Sequence, residues 1–318
     1  MKITVLGCGR WGSFLAWYAN SLGHKVVSYG PDDELYRKLK ASGGNEYIRF
    51  DDKIELTCDL ERAVSHAEIV IISISSQGLR GFLQKVCALD LSGKKIVLCM
   101  KGIEESTGKR LSEVALESGV NKRNIAVWVG PGHIQEFVKN VPNCMVIDSY
   151  NPSLTRSLAD VFKSSLIRFY YGNDIIGTEV GAAAKNIMGI VAGMLDGMNY
   201  SSLKGPLMAR GAREVARLIK AMGGSEMSAY GLCHLGDYET TLFSLHSHNR
   251  MWGEMYVRGE KFGKLAEGVA TARAVAKKSA ALGVEMPITD AVNQMITDNL
   301  SPSEVITRLF ERDVKSEF

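Results

Sequence analysis

The feature that most constrains the fold of this chain is its N-terminal segment Ile3-Thr-Val-Leu-Gly-Cys-Gly-Arg-Trp-Gly. A short β-branched run leads directly into Gly7-x-Gly9-x-x-Gly12, and the residues that follow have a helical pattern. A dinucleotide diphosphate site requires this strand–turn–helix order: Gly7 allows the tight turn, Gly9 the approach of the diphosphate, and Gly12 close helix–strand packing. The helix N-terminus favours the negative diphosphate. A glycine-rich turn without a ligand is the alternative, but the flanking strand and helix favour a nucleotide site.

The length and charge of the chain exclude several classes of protein. Its 318 residues are enough for two ordinary domains, and a net charge of +3 is too small to indicate a nucleic-acid or membrane-surface protein. No apolar run reaches the roughly 18 residues of a membrane span. Because Met1-Lys2 runs directly into the first strand, we expect no signal peptide and a cytoplasmic protein.

The cysteines and histidines do not suggest a metal site. The six cysteines are scattered without a CxxC pair, which is typical of reduced thiols in the cytoplasm. The six histidines contain one close pair, His246-x-His248, which is a poor zinc signal without further ligands. We therefore expect no metal.

The first part of the chain alternates short apolar runs with amphipathic segments. The predicted strands are 2–6, 25–29, 68–74, 95–100, 124–129, 143–148 and 166–170. The predicted helices between them include 10–22, 76–88, 105–118 and 152–163. Several strands are continuously apolar, as expected when both faces of a parallel sheet are covered. The pattern predicts an N-terminal Rossmann-type, doubly wound α/β domain over residues 1–173.

The pattern changes near residues 172–174, and residues 174–318 are predicted to form an all-helical domain. A long helix over 178–199 carries glycines at roughly one-turn spacing, which would let another helix or a ligand approach closely. Later helix starts are indicated at Pro287 and at Ser301-Pro-Ser-Glu304, a capping box with proline at its first helical position.

Polar residues follow three of the predicted strands, where ligands bind in open α/β sheets. They are Ser75-Ser-Gln77, Lys101-Gly-Ile-Glu104 and Gly130-Pro-Gly-His133. A lone lysine after a strand is commonly a solvated surface residue. The glycine that follows Lys101 and its place in a loop facing the cofactor crevice make an anionic-substrate role an equal alternative.

The helical domain holds a second group of candidates. Lys185-Asn186 lies among alanine, glycine and methionine, so Lys185 is either a lysine whose head reaches solvent or an acid/base whose pKa is lowered by burial and a neighbouring cation. Residues 231–253 are rich in hydrogen-bonding groups, which favours a binding segment over a core helix.

These residues resemble the NAD(P)-dependent glycerol-3-phosphate dehydrogenases of the bacterial type, essentially from end to end. The resemblance rests on short motifs in the family's order: residues 7–12, Met100-Lys-Gly102, Gly130-Pro-Gly132, 179–186, Gly236-Asp237, 247–253 and 267–272. It implies reversible reduction of dihydroxyacetone phosphate to sn-glycerol 3-phosphate, with NAD or NADP as cofactor and a small phosphorylated three-carbon substrate as partner.

The resemblance also implies roles for single residues. Lys185 stands at the position of the general acid/base, and Lys101 at that of a residue that contacts cofactor and substrate and polarises the carbonyl. Asp237 and Thr241 match polar partners of the lysine and substrate. Further substrate contacts are implied at Gly130, Gly132, Ser247, His248 and Asn249. Cofactor contacts are implied at Gly7, Gly9, Arg10, Trp11, Gly12, Lys101, Ile134, His248 and Glu267.

The chain departs from the family pattern on the substrate side. His248 replaces an arginine, so a permanent bidentate charge becomes a single donor whose charge depends on pH. Gly132 stands where serine is usual, Ile134 where alanine is usual, and Ser75-Ser76 where Pro-Ser is usual. A related anionic three-carbon ketone therefore stays open as the substrate.

The cofactor side differs as well. The arginine usual after the second strand is missing from Tyr29-Gly-Pro-Asp-Asp33, and its two aspartates would repel a 2′-phosphate, so NADH is favoured over NADPH. Two other classes remain open: a reductase of the β-hydroxyacid or ketopantoate type, and a non-catalytic NAD(P)-binding regulator. Retention of Lys101, Lys185, Asp237 and Asn249 argues against the regulator. We expect a homodimer.

Overall fold

The computed structural model describes residues 1–298, 300–314, 316 and 317. The chain divides into two compact units, the first made of Met1–Lys101 and Lys109–Glu179, the second of Gly102–Gly108 and the residues from Val180 onward. The predicted boundary at 173/174 lies a few residues earlier than this division, just before the helix that spans it. That boundary stays a prediction.

One eight-stranded sheet forms the centre of the first unit. Its strands are β1 (Lys2–Leu6), β2 (Lys25–Tyr29), β3 (Ile54–Thr57), β4 (Ile69–Ile72), β5 (Lys95–Leu98), β6 (Ile125–Val129), β7 (Asn143–Ser149) and β8 (Ile167–Tyr171). The order is β3-β2-β1-β4-β5-β6-β7-β8, and its first six strands have the order of a doubly wound dinucleotide-binding sheet. The predicted fold class is confirmed.

The helices of the two units follow the chain order. They are α1 (Arg10–Ser21), α2 (Glu34–Ser42), α3 (Leu60–His66), α4 (Leu79–Val86), α5 (Leu111–Glu117), α6 (Ile134–Phe137), α7 (Pro152–Phe162), α8 (Ile175–Gly197), α9 (Lys204–Ala221), α10 (His248–Val257), α11 (Glu267–Leu282), α12 (Pro287–Asp298) and α13 (Pro302–Phe310). In the described part of the chain, every strand lies before α8.

Alternating strand residues explain why the sheet strands are continuously apolar. In β4, Ile69 and Ile71 belong to the core on one face of the sheet, while Val70 and Ile72 belong to the core on the other. Because both faces are covered at β4, each of its positions is buried, and the period-2 alternation of a half-solvated strand is absent there.

Three details of the sheet and its helices differ from the sequence-based expectation. Strand β3 was not predicted, because this short edge strand is half exposed after Ile54 and lacks a continuous apolar run. Strand β7 runs antiparallel to β6, although the pattern predicted a parallel sheet. The helix expected over 105–118 begins only at Leu111, since Gly108 adopts a left-handed φ of 68° that ends any helical path.

Glycines let α8 and α10 pack with their main chains in contact. A Cβ added to Gly193 of α8 would lie 1.8 Å from the carbonyl oxygen of Arg250, and one added to Gly253 of α10 would lie 2.0 Å from that of Ile190. The glycine spacing in α8 therefore serves the approach of protein segments. Helix α8 is long and apolar enough to cross a membrane, but 94% of its most apolar window is buried within the fold.

Several predicted helix signals are present in the second unit. Helix α12 begins at Pro287. At the start of α13, the Ser301 hydroxyl accepts from the Glu304 amide and the Glu304 carboxylate accepts from the Ser301 amide, the reciprocal bonds of a capping box. The polar segment 231–253 forms a 3₁₀ turn at Leu235–Asp237, a π-helical turn at Glu239–Phe243, and the start of α10.

Candidate active site

The glycine-rich turn has a separate physical reason for each glycine. Gly7 has a φ of +118°, and an added Cβ would meet the Ser73 carbonyl oxygen at 2.2 Å. At Gly12 an added Cβ would lie 1.8 Å from the carbonyl oxygen of Gly7, so this glycine allows α1 to pack on the turn. Gly9 is different, because a Cβ there would meet no protein atom within 4 Å. Packing therefore does not require Gly9, and the open space beside the N-terminus of α1 fits a diphosphate.

The segment after β2 holds the residues expected to select the cofactor. The carboxylate of Asp33 accepts from the Tyr36 amide and caps α2. The carboxylate of Asp32 lies 2.8 Å from Arg37 Nε, and both side chains are exposed. Hydrogen bonding to Arg37, together with its charge, lowers the pKa of Asp32. A carboxylate therefore stands at this strand end, and Arg37 is paired with it.

Lys101 lies near the start of the loop after β5 and is hydrogen-bonded to the loop after β6. Its Nζ donates to the carbonyl oxygen of Gly130 at 2.6 Å. Gly130 has a φ of +135°, and a Cβ there would lie 3.0 Å from Met145 Cα. The neighbouring strands β5 and β6 thus bring two predicted substrate-side residues together at the carboxyl edge of the sheet, as ligand binding in an open α/β sheet requires.

Gly132 is fixed by an aromatic cluster. It has a φ of +146°, and a Cβ would meet the Phe137 ring at 2.4 Å. Phe137 stacks on Phe14 with a centroid separation of 4.9 Å, and Trp11 lies 4.9 Å from Phe14. The serine usual in the resembled family would therefore be strained and would have to displace Phe137. Ile134 has its side chain in the core, so any cofactor contact there has to come from its backbone.

Lys185 is held inside the second unit by two predicted partners. Its Nζ lies 2.8 Å from Asp237 Oδ2 and donates to Thr241 Oγ1 at 2.7 Å. The exposed fractions of the Lys185 and Asp237 side chains are 8% and 1%, so the lysine head does not extend to solvent as a surface lysine would. Thr240 donates to the other oxygen of Asp237. Helix α8 supplies the lysine, and the turns at 235–243 supply the groups that orient it.

Asn249 links the lysine helix to α11. Its side-chain nitrogen donates to Asn186 Oδ1 at 3.1 Å, and its oxygen accepts from the Gly268 amide at 2.9 Å. Glu267, predicted as a cofactor contact, is the first residue of α11 and directly precedes that amide. The hydrogen bonds hold the residue next to Lys185 against the N-termini of α10 and α11.

The N-terminus of α10 carries the predicted phosphate residues. Ser247 is the N-cap, and its hydroxyl accepts from the Arg250 amide. His248 begins the helix, with Nδ1 3.2 Å from the Leu265 carbonyl oxygen. Arg250, the other cation of this motif, is buried and its Nε lies 2.7 Å from Asp196 Oδ2. Arg250 is thus engaged in the fold, while His248 is at the helix terminus.

Asp196 joins three elements of the second unit through a buried charge cluster that the sequence reasoning missed. Its carboxylate lies 2.7 Å from Lys204 Nζ as well as from Arg250 Nε, and it accepts from Ser201 Oγ at 2.8 Å. Although burial raises the pKa of Asp196, these hydrogen bonds and charges lower it overall. From the sequence, only the position of Arg250 in the 247–253 motif pointed to this cluster, because the other members lie in different elements.

A second overlooked residue is His234, which is fully buried three residues before Asp237. Its Nδ1 lies 2.9 Å from the Gly181 carbonyl oxygen, and its Nε2 lies 2.7 Å from the Tyr238 hydroxyl. Burial, together with the smaller effect of the Lys185 charge, lowers the pKa of His234 to about 4. Its apolar sequence neighbours, Leu232, Cys233 and Leu235, were the available signal for a buried ring.

Within the described part of the chain, no group of three or more His, Cys, Asp or Glu residues is placed to hold a metal ion.

Comparison with known families matches both parts of the chain. The N-terminal model of NAD-dependent glycerol-3-phosphate dehydrogenase matches residues 2–155, and the C-terminal model matches residues 174–307. The whole chain is 38% identical to a glycerol-3-phosphate dehydrogenase (NAD(P)+) of Pelodictyon phaeoclathratiforme and covers 99% of it. Its identity to the enzyme of that name from a Thermoanaerobacter species is 33%, again with the whole chain and 99% of the relative covered.

Solved structures give the same match. The glycerol-3-phosphate dehydrogenase of Coxiella burnetii superposes with a TM-score of 0.90 at 26% identity, and 98% of each chain is covered. A ketopantoate reductase of Ralstonia eutropha, which represents the rival reductase class, gives a TM-score of 0.63 at 14% identity, covering 98% of this chain and all of that one. The latter likeness extends to the fold alone.

Proposed function

Because this chain belongs to the NAD-dependent glycerol-3-phosphate dehydrogenase family, we propose that it reversibly reduces dihydroxyacetone phosphate to sn-glycerol 3-phosphate. The observation that carries the proposal is the buried Lys185, held at 2.8 Å from Asp237 and at 2.7 Å from Thr241. A lysine oriented in this way is suited to proton transfer at one position. The nicotinamide, when bound, supplies or accepts the hydride.

The proton transfer is assigned to Lys185. In the reductive direction its Nζ donates a proton to the substrate carbonyl oxygen as negative charge develops there, and in the oxidative direction the neutral amine takes the hydroxyl proton. Asp237 and Thr241 orient the Nζ, so that little reorganisation is needed during the reaction. Lys101 polarises the carbonyl and contacts the cofactor, and a hydrogen bond to the developing oxyanion contributes about 3–4 kcal/mol.

The substrate phosphate is assigned to the N-terminus of α10. Ser247, His248 and Asn249 lie at this terminus, where amide groups and the helix dipole favour an anion. Gly130 and Gly132 form the substrate-side loop of the first unit. Because His248 takes the place of a permanently charged arginine, we expect phosphate affinity to depend on pH.

The cofactor contacts are assigned for each unit by itself. In the first unit Gly7, Gly9 and Gly12 would hold the diphosphate, and Arg10, Trp11 and Ile134 would provide further cofactor contacts; in the second unit His248 and Glu267 are assigned to the cofactor. We propose a preference for NADH, because Asp32 and Asp33 stand after β2 and Arg37 is paired with Asp32. We also propose that the enzyme is a cytoplasmic homodimer.

The test is a substrate panel for the purified enzyme with NADH and with NADPH. It compares dihydroxyacetone phosphate, glyceraldehyde 3-phosphate, unphosphorylated dihydroxyacetone and ketopantoate by kcat/KM. The proposal requires the highest efficiency with dihydroxyacetone phosphate. A higher efficiency with an unphosphorylated ketone, or bound NADH with no turnover of any ketone, would refute it. Light scattering of the same sample decides the homodimer.

A further inference from the structure

His234 connects the loop that carries Asp237 to helix α8, which carries Lys185. Its backbone carbonyl accepts from the Asp237 amide at 3.0 Å, and its ring Nδ1 lies 2.9 Å from the carbonyl oxygen of Gly181. Gly181 lies four residues before Lys185 in α8, so its carbonyl is also the helical acceptor for the Lys185 amide. One residue is thereby hydrogen-bonded to both backbones that carry the Lys185–Asp237 pair.

The hydrogen-bond partners define the tautomer of the ring. A carbonyl oxygen only accepts, so His234 Nδ1 carries the proton and donates to Gly181. Nε2 is then an acceptor, and it receives the hydroxyl proton of Tyr238 at 2.7 Å. Both ring nitrogens are satisfied in the neutral form, which agrees with the lowered pKa of His234. In a protonated ring the Tyr238 bond would have to reverse, with Nε2 donating to the hydroxyl oxygen, and a positive charge would be added near Lys185.

Two glycines make room for the histidine and the tyrosine. A Cβ on Gly181 of α8 would lie 3.1 Å from His234 Cβ, and a Cβ on Gly211 of α9 would lie 3.1 Å from the Tyr238 hydroxyl. Tyr238, like His234, is completely buried. The loop before Asp237 is therefore packed between two helices so closely that a Cβ at either glycine would require its neighbour to shift.

We propose that His234, supported by Tyr238, is a positioning residue that sets the place of Asp237 against Lys185. This inference rests on the proposed function of Lys185 as the general acid/base. Loss of the bridge would let the 231–238 loop move away from α8, lengthening the contact between the carboxylate and Nζ. A displacement of about 1 Å at a reacting group can reduce the rate up to about a hundredfold.

The experiment compares three variants. His234→Leu removes both ring hydrogen bonds, His234→Gln retains an amide donor and a carbonyl acceptor, and Tyr238→Phe removes only the hydroxyl. Tyr18→Phe is the matched control, since Tyr18 is also completely buried but donates to the Phe162 carbonyl in the first unit. Reduction of dihydroxyacetone phosphate is measured as kcat, KM and the pH dependence of kcat.

We expect His234→Leu to lower kcat at least about tenfold with little change in KM for NADH, and His234→Gln to restore most of the rate. The alkaline limb of kcat in His234→Leu should move to lower pH, because Lys185 loses its anionic neighbour and its ammonium form is less favoured. The charged groups that face His234 and Tyr238 are Lys185 and Asp237, which act on His234, and Glu214 of α9, which acts on Tyr238. Tyr238→Phe should show a smaller loss, and Tyr18→Phe should keep the wild-type kcat and pH profile.

A wild-type kcat and pH profile in folded His234→Leu would overturn the positioning role. Failure of the wild-type enzyme to reduce dihydroxyacetone phosphate would instead refute the proposed function. In that case, or if kcat falls for another reason, a crystal structure of His234→Leu decides the inference. A distance between Lys185 Nζ and Asp237 Oδ2 that stays near 2.8 Å overturns it, and an increase supports it.

Discussion

Gly9 and Gly12 provide a paired test of the nucleotide-binding turn, because the same added methyl group meets open space at one position and main chain at the other. In Gly9→Ala the new Cβ meets no protein atom within 4 Å, and the residue has φ −65° and ψ −178°, which alanine adopts freely. Alanine reduces the conformational entropy of the unfolded chain, which stabilises the folded state by about 0.4–1 kcal/mol. Alanine is also a poorer N-cap than glycine, which destabilises the folded state by a similar amount. We expect the free energy of unfolding to change by less than about 1 kcal/mol.

Gly12→Ala should behave in the opposite way. Its Cβ would lie 1.8 Å from the Gly7 carbonyl oxygen, so main-chain atoms have to move by more than an ångström. Overpacking of this kind costs about 1–3 kcal/mol or more. Urea unfolding of both variants and the wild type measures the difference.

Cofactor affinity distinguishes Gly9 as a ligand contact. A methyl group at Gly9 should keep the diphosphate from at least one amide, and a charge-assisted hydrogen bond contributes about 1.5–3 kcal/mol. We therefore expect Kd for NADH, measured by calorimetry, to rise at least about tenfold in Gly9→Ala. Unchanged NADH affinity together with unchanged stability would show that the diphosphate does not approach Gly9.

Four further predictions follow from the site and the core. Lys185→Ala should lower kcat at least about a hundredfold while NADH still binds, and near-wild-type turnover would exclude its acid/base role. The wild-type ratio of kcat/KM with the two cofactors should favour NADH; a clear advantage for NADPH would mean that a basic residue such as Arg10 or Arg37 holds the 2′-phosphate. His248→Arg should flatten the dependence of KM for dihydroxyacetone phosphate between about pH 6 and 9, with a lower KM at alkaline pH, because arginine stays charged; identical profiles would exclude His248 as the phosphate cation. Burial raises the pKa of Glu214 from 4.5 to about 7, so its protonated form favours the folded state and the free energy of unfolding should fall as pH rises between these values. Glu214→Gln should reduce that fall in urea unfolding, and an unchanged slope would contradict the assignment.

Local sequence patterns predicted the elements that are specified by residues close together in the chain. Gly7 and Gly12 were predicted from the motif, and the capping box at Ser301 needs only two residues that are three positions apart. Such features depend on backbone geometry within one turn, which a short stretch of sequence specifies. The formation of β3 and the direction of β7 depend instead on pairing with neighbouring strands. An apolar run in the sequence does not indicate whether a strand lies parallel or antiparallel to its neighbour.

The candidate site was less completely predictable from the sequence than these local elements. Lys185 was identified from its apolar surroundings, but Asp237 and Thr241 lie more than fifty residues later, and spacing alone could not pair them with it. The resemblance to a known family supplied that pairing. His234 has no place in the motifs, and its bridging role follows only from the packing of its loop between α8 and α9.

The main-chain contact between α8 and α10 has a consequence for how this enzyme tolerates change. At Gly193 and Gly253 the separation of the two helices is set by carbonyl oxygens and not by interlocking side chains. Apolar residues elsewhere in the core can therefore be exchanged at some loss of stability, while the spacing of Asn186 and Asn249 across this crossing stays constant. Laboratory evolution should accumulate substitutions readily at apolar core positions away from the crossing and almost none at Gly193 and Gly253, since a side chain there would force the helices apart.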